Sequence, residues 1–257
     1  MKSLAKIIFD SKLGINIRNM IGFRAHQFNF TNIKENISLS DAFIWRTDSN
    51  FKTVFKFTDL LKLFYKIDNS SLDLYFYDNK FKLIKNLTLN NINLSNEIII
   101  DKKFLNNYEG FGVFFIFHKH KNFKSNNKMI LSNRCYLGFS YNNNLPSFVH
   151  GNTYAISENI NNNHKVTNFI NNSLFCSQIY QVQNNFNDFN KSELIIVNPT
   201  TKKIKFYLND NKYFLDGLHL KLINIKKIPQ ILIKSNCYFL RPIAFSYQKE
   251  FVDVHHL

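Results

Sequence analysis

Histidine and asparagine flank a glycine in the middle of the chain, at a position where a ligand-binding loop is expected. His150 and Asn152 lie on either side of Gly151, directly after the apolar run Leu145 to Val149. Because glycine permits a sharp turn, the imidazole and the carboxamide are expected at a loop tip. Binding groups commonly occupy such tips. The pattern therefore favours a ligand-binding role for His150 and Asn152.

A second candidate group closes the sequence, in the segment Asp253-Val254-His255-His256. A carboxylate beside an imidazole can orient a general base or a metal ligand. Successive side chains of a strand point to opposite faces, so Asp253 and His255 share a face and His256 does not. We therefore include Asp253 and His255 among the candidate ligand-binding residues. The alternative is that these residues belong to a frayed end of the chain.

Two arginines stand at the ends of strand-like segments, Arg46 after Trp45 and Arg241 before Pro242. The residue before a proline is biased towards extended backbone, so Arg241 is expected in an extended segment. A guanidinium in such a place has two roles open to it. It can hold the two halves of the chain together through a buried ion pair, or it can bind an acidic ligand.

His118 and His120 are weak candidates for a metal site. They are separated by one residue in a strand-like segment, so both imidazoles lie on the same face. The alternative is an ordinary solvated strand edge. The chain has no P-loop, dinucleotide-binding fingerprint, G-x-S-x-G or H-E-x-x-H sequence. We therefore nominate no catalytic residue and no cofactor, and we favour a binding protein over an enzyme.

Short strands with alternating apolar residues dominate the sequence from residue 39 onwards. Leu72, Leu74 and Phe76 are expected on one face of a strand, and Asp73, Tyr75 and Tyr77 on the other. The segment Tyr77 to Phe81 predicts a hairpin turn, because Asp and Asn tolerate positive φ. Comparable strands are predicted over Asp41 to Arg46, Lys52 to Thr58, Phe81 to Leu89, Glu97 to Ile100, Gly112 to His118, Arg134 to Tyr141, Ser177 to Gln183, Glu193 to Val197, Lys203 to Leu208, Leu218 to Ile225, Gln230 to Lys234 and Cys237 to Tyr247.

This rhythm predicts an all-β protein with two tandem antiparallel β-sandwich units of the Ig-like or jelly-roll kind. Residues 1–38 form a basic N-terminal extension that can include a short amphipathic helix. The first unit is expected over residues 39–158 and the second over residues 174–257. An asparagine-rich stretch at residues 159–173 is expected to link them, because polar residues that compete for backbone hydrogen bonds favour loops.

Composition limits the partners and the compartment. The formal net charge is +15, yet only five residues are arginine and 39 of the 257 are asparagine. AT-rich codons produce the same excess of Lys, Asn, Ile and Phe, so codon bias explains part of the charge. The three cysteines form no C-x-x-C pair, which indicates buried thiols in a reducing compartment. No apolar span approaches the ~20 residues of a membrane helix. A cytoplasmic protein is expected.

These observations lead to three hypotheses for function. Aromatic and asparagine side chains on strand faces and loops suit a glycan, because rings stack on sugars and carboxamides bind hydroxyls. A glycan-binding or polysaccharide-associated protein is therefore the first hypothesis. The second is a basic component of a ribonucleoprotein, since positive charge binds RNA non-specifically. The third is a metal-dependent enzyme that uses His150 and the C-terminal histidines.

Overall fold

The computed structural model describes residues 4–11, 13, 14, 17, 36–124, 129–161, 167, 168, 178–183, 188–225, 230–237 and 240–256. Within them the chain forms the short helices α1 (Leu4–Asp10) and α2 (Leu60–Tyr65) and a series of strands. The strands are β1 Ile37–Arg46, β2 Phe51–Phe57, β3 Ser71–Asp78, β4 Leu83–Asn90, β5 Asn96–Ile100, β6 Phe111–Lys119, β7 Ile130–Asn133, β8 Tyr136–Tyr141, β9 Ser147–His150, β10 Asn152–Asn159, β11 Thr167–Asn168, β12 Gln178–Gln183, β13 Lys191–Val197, β14 Ile204–Leu208, β15 Asn211–Leu215, β16 Leu220–Ile225, β17 Gln230–Ser235, β18 Ile243–Gln248 and β19 Phe251–His256.

These strands form four sheets. The first sheet has the order β11-β10-β1-β6-β3-β4, with β7 paired in parallel to β1. The second sheet has the order β5-β2-β8-β9, the third β16-β13-β18-β19 and the fourth β12-β17-β14-β15. The other strand pairings are antiparallel, so most neighbouring strands need only short connections.

The prediction of an all-β protein is confirmed, but the prediction of two tandem sandwich units is wrong. The four sheets are arranged in a ring that resembles a four-bladed β-propeller. The physical reason is that period-two alternation defines which side of a strand is buried and not which strand it pairs with. Short strands joined by hairpins occur in both sandwiches and propellers.

Local predictions agree better with the structure. In β3, Leu72, Leu74 and Phe76 are fully buried, whereas Tyr75 and Tyr77 are half-buried on the other face. The predicted turn follows, and the Asp78 carboxylate accepts hydrogen bonds from the backbone N–H groups of residues 80 and 82. An aspartate that accepts local backbone bonds stabilises such a turn.

Strand β13, in the middle of the third sheet, is buried on both faces. On one face, Ile195 and Val197 of β13 pack into the large core that the first and second sheets share. On the other face, Leu194 and Ile196 pack against apolar side chains of the fourth sheet. Because side chains alternate along a strand, β13 contributes to both cores at once.

Helix α1 coincides with the predicted N-terminal amphipathic segment, and its apolar side chains Leu4, Ile7 and Ile8 are exposed. None of the helices in the described ranges is long and apolar enough to cross a membrane. Residues 18–35 of the predicted extension lie outside the described residues, as do residues 162–166 and 169–177 around the predicted linker. The division of the chain at residues 38, 158 and 173 therefore stays a prediction.

Candidate functional site

A cleft with a volume of about 620 Å³ lies where three turns meet. The turns connect β1 to β2, β5 to β6, and β8 to β9. Most of the side chains that line it carry a carboxamide, an ammonium or a hydroxyl group. We call this site the polar cleft, and its lining residues are Thr47, Asn50, Phe51, Lys52, Asp101, Lys102, Lys103, Asn107, Asn142 and Asn143.

Asparagines provide the left-handed backbone conformations that these turns require. The φ angle is 64° at Asn50, 63° at Asn107, 50° at Asn142 and 61° at Asn143. Asparagine tolerates this region because its short polar side chain can hydrogen-bond locally. In the described part of the chain, eight of the thirteen non-glycine residues with positive φ are asparagine. At these positions the turn conformation, and not only codon bias, favours asparagine.

Hydrogen bonds hold the three turns together. The Asn50 side-chain Nδ2 donates to Oδ1 of Asn142 at 3.1 Å, and the Asn142 backbone N–H donates to the Asn50 carbonyl at 3.3 Å. From the third turn, the carbonyl groups of Gly110 and Tyr108 accept from the backbone N–H and the hydroxyl of Thr47, at 2.8 and 3.0 Å. The polar cleft is therefore formed by turns that are already connected to one another.

Arg46 lies behind one wall of the polar cleft and is only 1% exposed. Its guanidinium binds Asp48 through two hydrogen bonds of 3.0 and 2.8 Å. Nη1 donates to Glu193 at 2.9 Å and to the Tyr247 hydroxyl at 3.1 Å, while the guanidinium lies 4.1 Å from the Phe51 ring centroid. Of the two roles open to Arg46, these contacts match the buried ion pair. Arg46 supports the wall and has no donor directed into the cleft.

Arg46 and Glu193 both keep their charge at this buried contact. Burial alone acts to lower the pKa of Arg46, but the hydrogen bond to Asp48 and the nearby negative charge of Glu193 hold that pKa above its ordinary value. Burial also acts to raise the pKa of Glu193, yet Arg46, Lys191 and Tyr247 outweigh it and hold the pKa below its ordinary value. Both groups are therefore ionised at neutral pH.

The cleft itself is positively charged. The Lys102 ammonium is neutralised by Glu109 at 2.7 Å. Lys52 and Lys103 are exposed, and within the described ranges neither of them forms an ion pair. Asp101 is occupied as the acceptor of the Phe104 backbone N–H at 2.7 Å. Two lysines thus remain available for an anionic group.

Three of the predicted ligand-binding residues, His150, Asn152 and Arg241, lie in contacts that join β9, β10 and β19 with the segment before β18. His256 donates from Nε2 to the His150 carbonyl at 2.8 Å, so His256, and not His255, reaches His150. The Asn152 side chain donates from Nδ2 to the Arg241 carbonyl at 2.6 Å. Burial lowers the pKa of His256 to about 4, helped by the positive charge of Arg241.

The two remaining members of the C-terminal group pair with each other. The distance from His255 Nδ1 to Asp253 Oδ2 is 3.2 Å, with both side chains partly or largely exposed. The exposed imidazole of His150 lies 4.6 Å from the Tyr136 ring, measured between centroids. Arg46 is bound elsewhere, to Asp48 and Glu193. The six predicted residues therefore do not form one site.

Asp41 is a feature of this region that the sequence did not suggest. Its carboxylate is fully buried, and neither oxygen has a hydrogen-bond partner. Burial raises its pKa to about 7, although the positive charges of Arg134 and Arg241 act in the opposite direction. The Arg134 Nε is 3.8 Å from Asp41 Oδ2, beyond hydrogen-bond distance. Asp41 is therefore a buried acid that titrates near neutral pH.

The two weak metal candidates lie in different surroundings. His118 is buried, and the Leu60 backbone N–H donates to its Nε2 at 3.1 Å. Its Nδ1 lies 2.6 Å from Asn133 Oδ1, and its Nε2 lies 3.2 Å from the Thr58 carbonyl, so both ring nitrogens have partners within the protein. His120 lies just beyond the end of β6. In the ranges that the structure describes, no three His, Cys, Asp or Glu side chains are grouped so that they could hold a metal ion.

The sequence did contain a signal for the polar cleft. Asp48-Ser49-Asn50 lies between two predicted strands and Asn142-Asn143-Asn144 directly follows one, and such tripeptides favour turns with positive φ. What the sequence lacks is the information that these two turns and residues 101–110 come together.

Comparisons with protein-family models, with curated proteins and with solved structures find no match for this chain.

Proposed function

We propose that this protein binds a glycan in the polar cleft. The observation that carries the proposal is the set of four asparagines, Asn50, Asn107, Asn142 and Asn143, that line one cavity. A carboxamide offers two donors and one acceptor, which matches the donor and acceptor character of sugar hydroxyls. The volume of about 620 Å³ is within the range of pockets that hold small ligands.

The lysines of the cleft favour an acidic saccharide over a neutral one. The ammonium groups of Lys52 and Lys103 can form charge-assisted hydrogen bonds with a carboxylate or sulfate group. The Phe51 ring is 2% exposed, so it cannot serve as a stacking platform for a sugar. Recognition in this cleft therefore relies on hydrogen bonds and charge. The formal net charge of +15 assists the approach of an acidic ligand.

The test is calorimetric titration of the full chain with an oligosaccharide rich in uronic acid, with a neutral oligosaccharide of equal length, and with single-stranded RNA. We expect saturable binding of the acidic oligosaccharide. The double variant Lys52→Ala/Lys103→Ala should weaken it about tenfold, because each of these exposed charge pairs contributes ~0.2–1 kcal/mol. Its control is Lys234→Ala, at an exposed lysine of β17.

A second variant removes a carboxamide without straining the turn. Asn143→Gly retains the left-handed conformation and should weaken binding roughly threefold, the loss of one neutral hydrogen bond. Asn91→Gly is the matched control, since Asn91 also has positive φ, at 53°, and lies outside the cleft. Equal binding of the neutral oligosaccharide, or binding of RNA alone, contradicts the proposal. So does an equal effect of the cleft variants and their controls.

A further inference from the structure

A second cavity, of about 230 Å³, lies on the face of the first sheet that carries Tyr75 and Tyr77. It does not share any lining residue with the polar cleft. Aromatic rings make up most of its wall. We call it the aromatic pocket, and its lining residues are Tyr75, Tyr77, Phe81, Phe115, Phe117, Ile156, Glu158 and Leu218.

The rings include one stacked pair, and the other ring pairs are steeply inclined to each other. Tyr77 and Phe81 are stacked, with centroids 4.2 Å apart and planes at 10°. Phe115 is inclined by 67° to Tyr77 and by 75° to Phe81, at about 6 Å from each. Tyr75 and Phe117 are inclined by 57°. The wall of this pocket is therefore formed by aromatic rings in several orientations.

A carboxylate completes the lining. Glu158 is 4% exposed, and its Oε2 accepts a hydrogen bond from the Lys119 ammonium at 2.5 Å. Burial first, and then the negative charge of Glu158, raise the pKa of both Tyr75 and Tyr77. Asp73, on the same face, adds to this effect at Tyr75. The Lys119 ammonium is paired with Glu158, so the negative charge left beside the rings comes from Asp73.

The backbone is held in an unfavourable conformation where it completes this pocket. Phe81 has a φ of 60° and Leu218 a φ of 59°. Among the described residues, they are the only large apolar residues with positive φ, and both of them line the aromatic pocket. A bulky side chain is an outlier in the left-handed region, and such strain of ~1–3 kcal/mol is concentrated at functional sites.

We infer that the aromatic pocket binds a quaternary ammonium group. A permanent cation without N–H donors is attracted to ring faces and to a nearby carboxylate, and it needs no hydrogen-bond acceptors. The available volume, at ~30 Å³ for each water-sized atom, holds a group of roughly seven heavy atoms. The protein already holds one cation beside these rings, since Lys119 Nζ is 5.9 Å from the Phe117 centroid.

The other chemical classes fit this pocket less well. A sugar needs several polar partners, whereas apart from Glu158 the lining offers only the two tyrosine hydroxyls. A neutral apolar ligand would gain nothing from Glu158 and Asp73. The quaternary ammonium uses both the rings and the negative charge. This site is independent of the glycan proposal, because the two cavities have separate linings.

The test compares choline with 3,3-dimethylbutan-1-ol, in which carbon replaces the charged nitrogen and the shape is retained. The full chain is titrated with each compound, and chemical-shift changes of the tyrosine and phenylalanine rings are measured by NMR. We expect saturable binding of choline that is at least about tenfold tighter than binding of the neutral analogue. Equal affinity for the two compounds, or no saturable binding of choline, overturns the proposal.

Substitutions of the ring residues test whether choline binds in the aromatic pocket. Tyr75→Phe keeps the ring and should bind choline within about threefold of the wild type, whereas Tyr75→Leu should weaken binding about tenfold. Phe81→Asn provides a second variant that suits the left-handed backbone and should also weaken binding. Tyr207→Leu, a half-buried tyrosine of β14, is the control. Thermal unfolding verifies that each variant is folded. Unchanged choline affinity in both Tyr75→Leu and Phe81→Asn overturns the proposed location.

Discussion

The polar cleft and the aromatic pocket are built from different parts of the same β framework. Three turns form the cleft, and asparagines with positive φ direct its carboxamides. The pocket lies mainly on a sheet face, where Tyr75 of β3 is paired directly with Phe115 of β6. The cleft carries Lys52 and Lys103, which form no ion pair in the described ranges. Beside the rings of the pocket lie Asp73 and the Lys119–Glu158 ion pair.

This difference shows how the two sites depend on the fold. In the cleft, the position of a carboxamide follows from the conformation of a turn, so glycine can replace asparagine without distorting the backbone. In the pocket, ring positions follow from cross-strand pairs, so a ring cannot be removed without altering its neighbours. The cleft should therefore tolerate substitution more readily than the pocket does.

The largest expected effect comes from a substitution of Arg46, which lies behind one wall of the polar cleft. Arg46→Met leaves Asp48 and Glu193 buried or partly buried without their guanidinium, and should lower the free energy of unfolding by about 3–5 kcal/mol. Urea unfolding measures this loss. Lys56→Met is the control, because the Lys56–Glu97 pair is exposed and contributes at most ~1 kcal/mol.

In Arg46→Met protein that remains folded, the acidic oligosaccharide should bind more weakly while choline binds as in the wild type. Equal stability of Arg46→Met and Lys56→Met would show that the buried contact does not support the cleft. Equal loss of both ligands would show that the two sites are not separate.

A change of pH should affect the fold without affecting the lining of either site. The pKa of Asp41 is about 7 in the folded protein, above its ordinary value of 3.8, so the folded state binds more protons between these values. Stability from Asp41 is therefore present at low pH and lost as pH rises through 7. Between pH 6 and 8 the wild type should lose about 1.4 kcal/mol relative to Asp41→Asn.

Thermal unfolding of both proteins at pH 6 and pH 8 measures this difference. The pKa of His256, about 4 and below its ordinary 6.5, makes stability rise with pH, but it acts equally in both proteins. Asp253→Asn is the control, at a carboxylate that is 58% exposed. Parallel pH dependences of the wild type and Asp41→Asn would refute the assignment to Asp41.

The smallest expected effect is a difference between the two sites in the salt dependence of ligand affinity. Raising the ionic strength from about 0.05 to 0.5 M shortens the screening distance severalfold, and exposed charges are screened more than buried ones. The acidic oligosaccharide should lose affinity about threefold or more at the exposed lysines of the cleft. Choline, beside the buried Glu158, should lose less. Titrations at both salt concentrations measure this difference, and equal salt dependence of the two ligands would contradict it.

Strands and turns could be predicted from the sequence because they depend on neighbouring residues. The predicted strand Lys52 to Thr58 corresponds to β2, Phe51–Phe57, and the predicted Leu72 to Tyr77 lies within β3. The ring of four sheets could not be predicted, because it depends on contacts between distant residues. Arg46 and Glu193, for example, are separated by 147 positions.

The candidate sites show the same limit. Alternation placed Tyr75 and Tyr77 on one face, but nothing local indicates that Leu218 reaches that face. Asparagine favours turns, yet the abundance of asparagine in the sequence conceals the four that come together in the cleft. His150 and Arg241 were candidates for their side chains, but in the structure it is their backbone carbonyls that accept hydrogen bonds.

The double burial of β13 has a consequence for the way the protein opens to solvent. Leu194 and Ile196 are held in one core and Ile195 and Val197 in the other, while β16 and β18 pair with both edges of the strand. Loosening either core alone leaves the strand anchored by the other. The amide hydrogens of β13 should therefore exchange with deuterium only through opening of both cores, and more slowly than those of the edge strands β4 and β15.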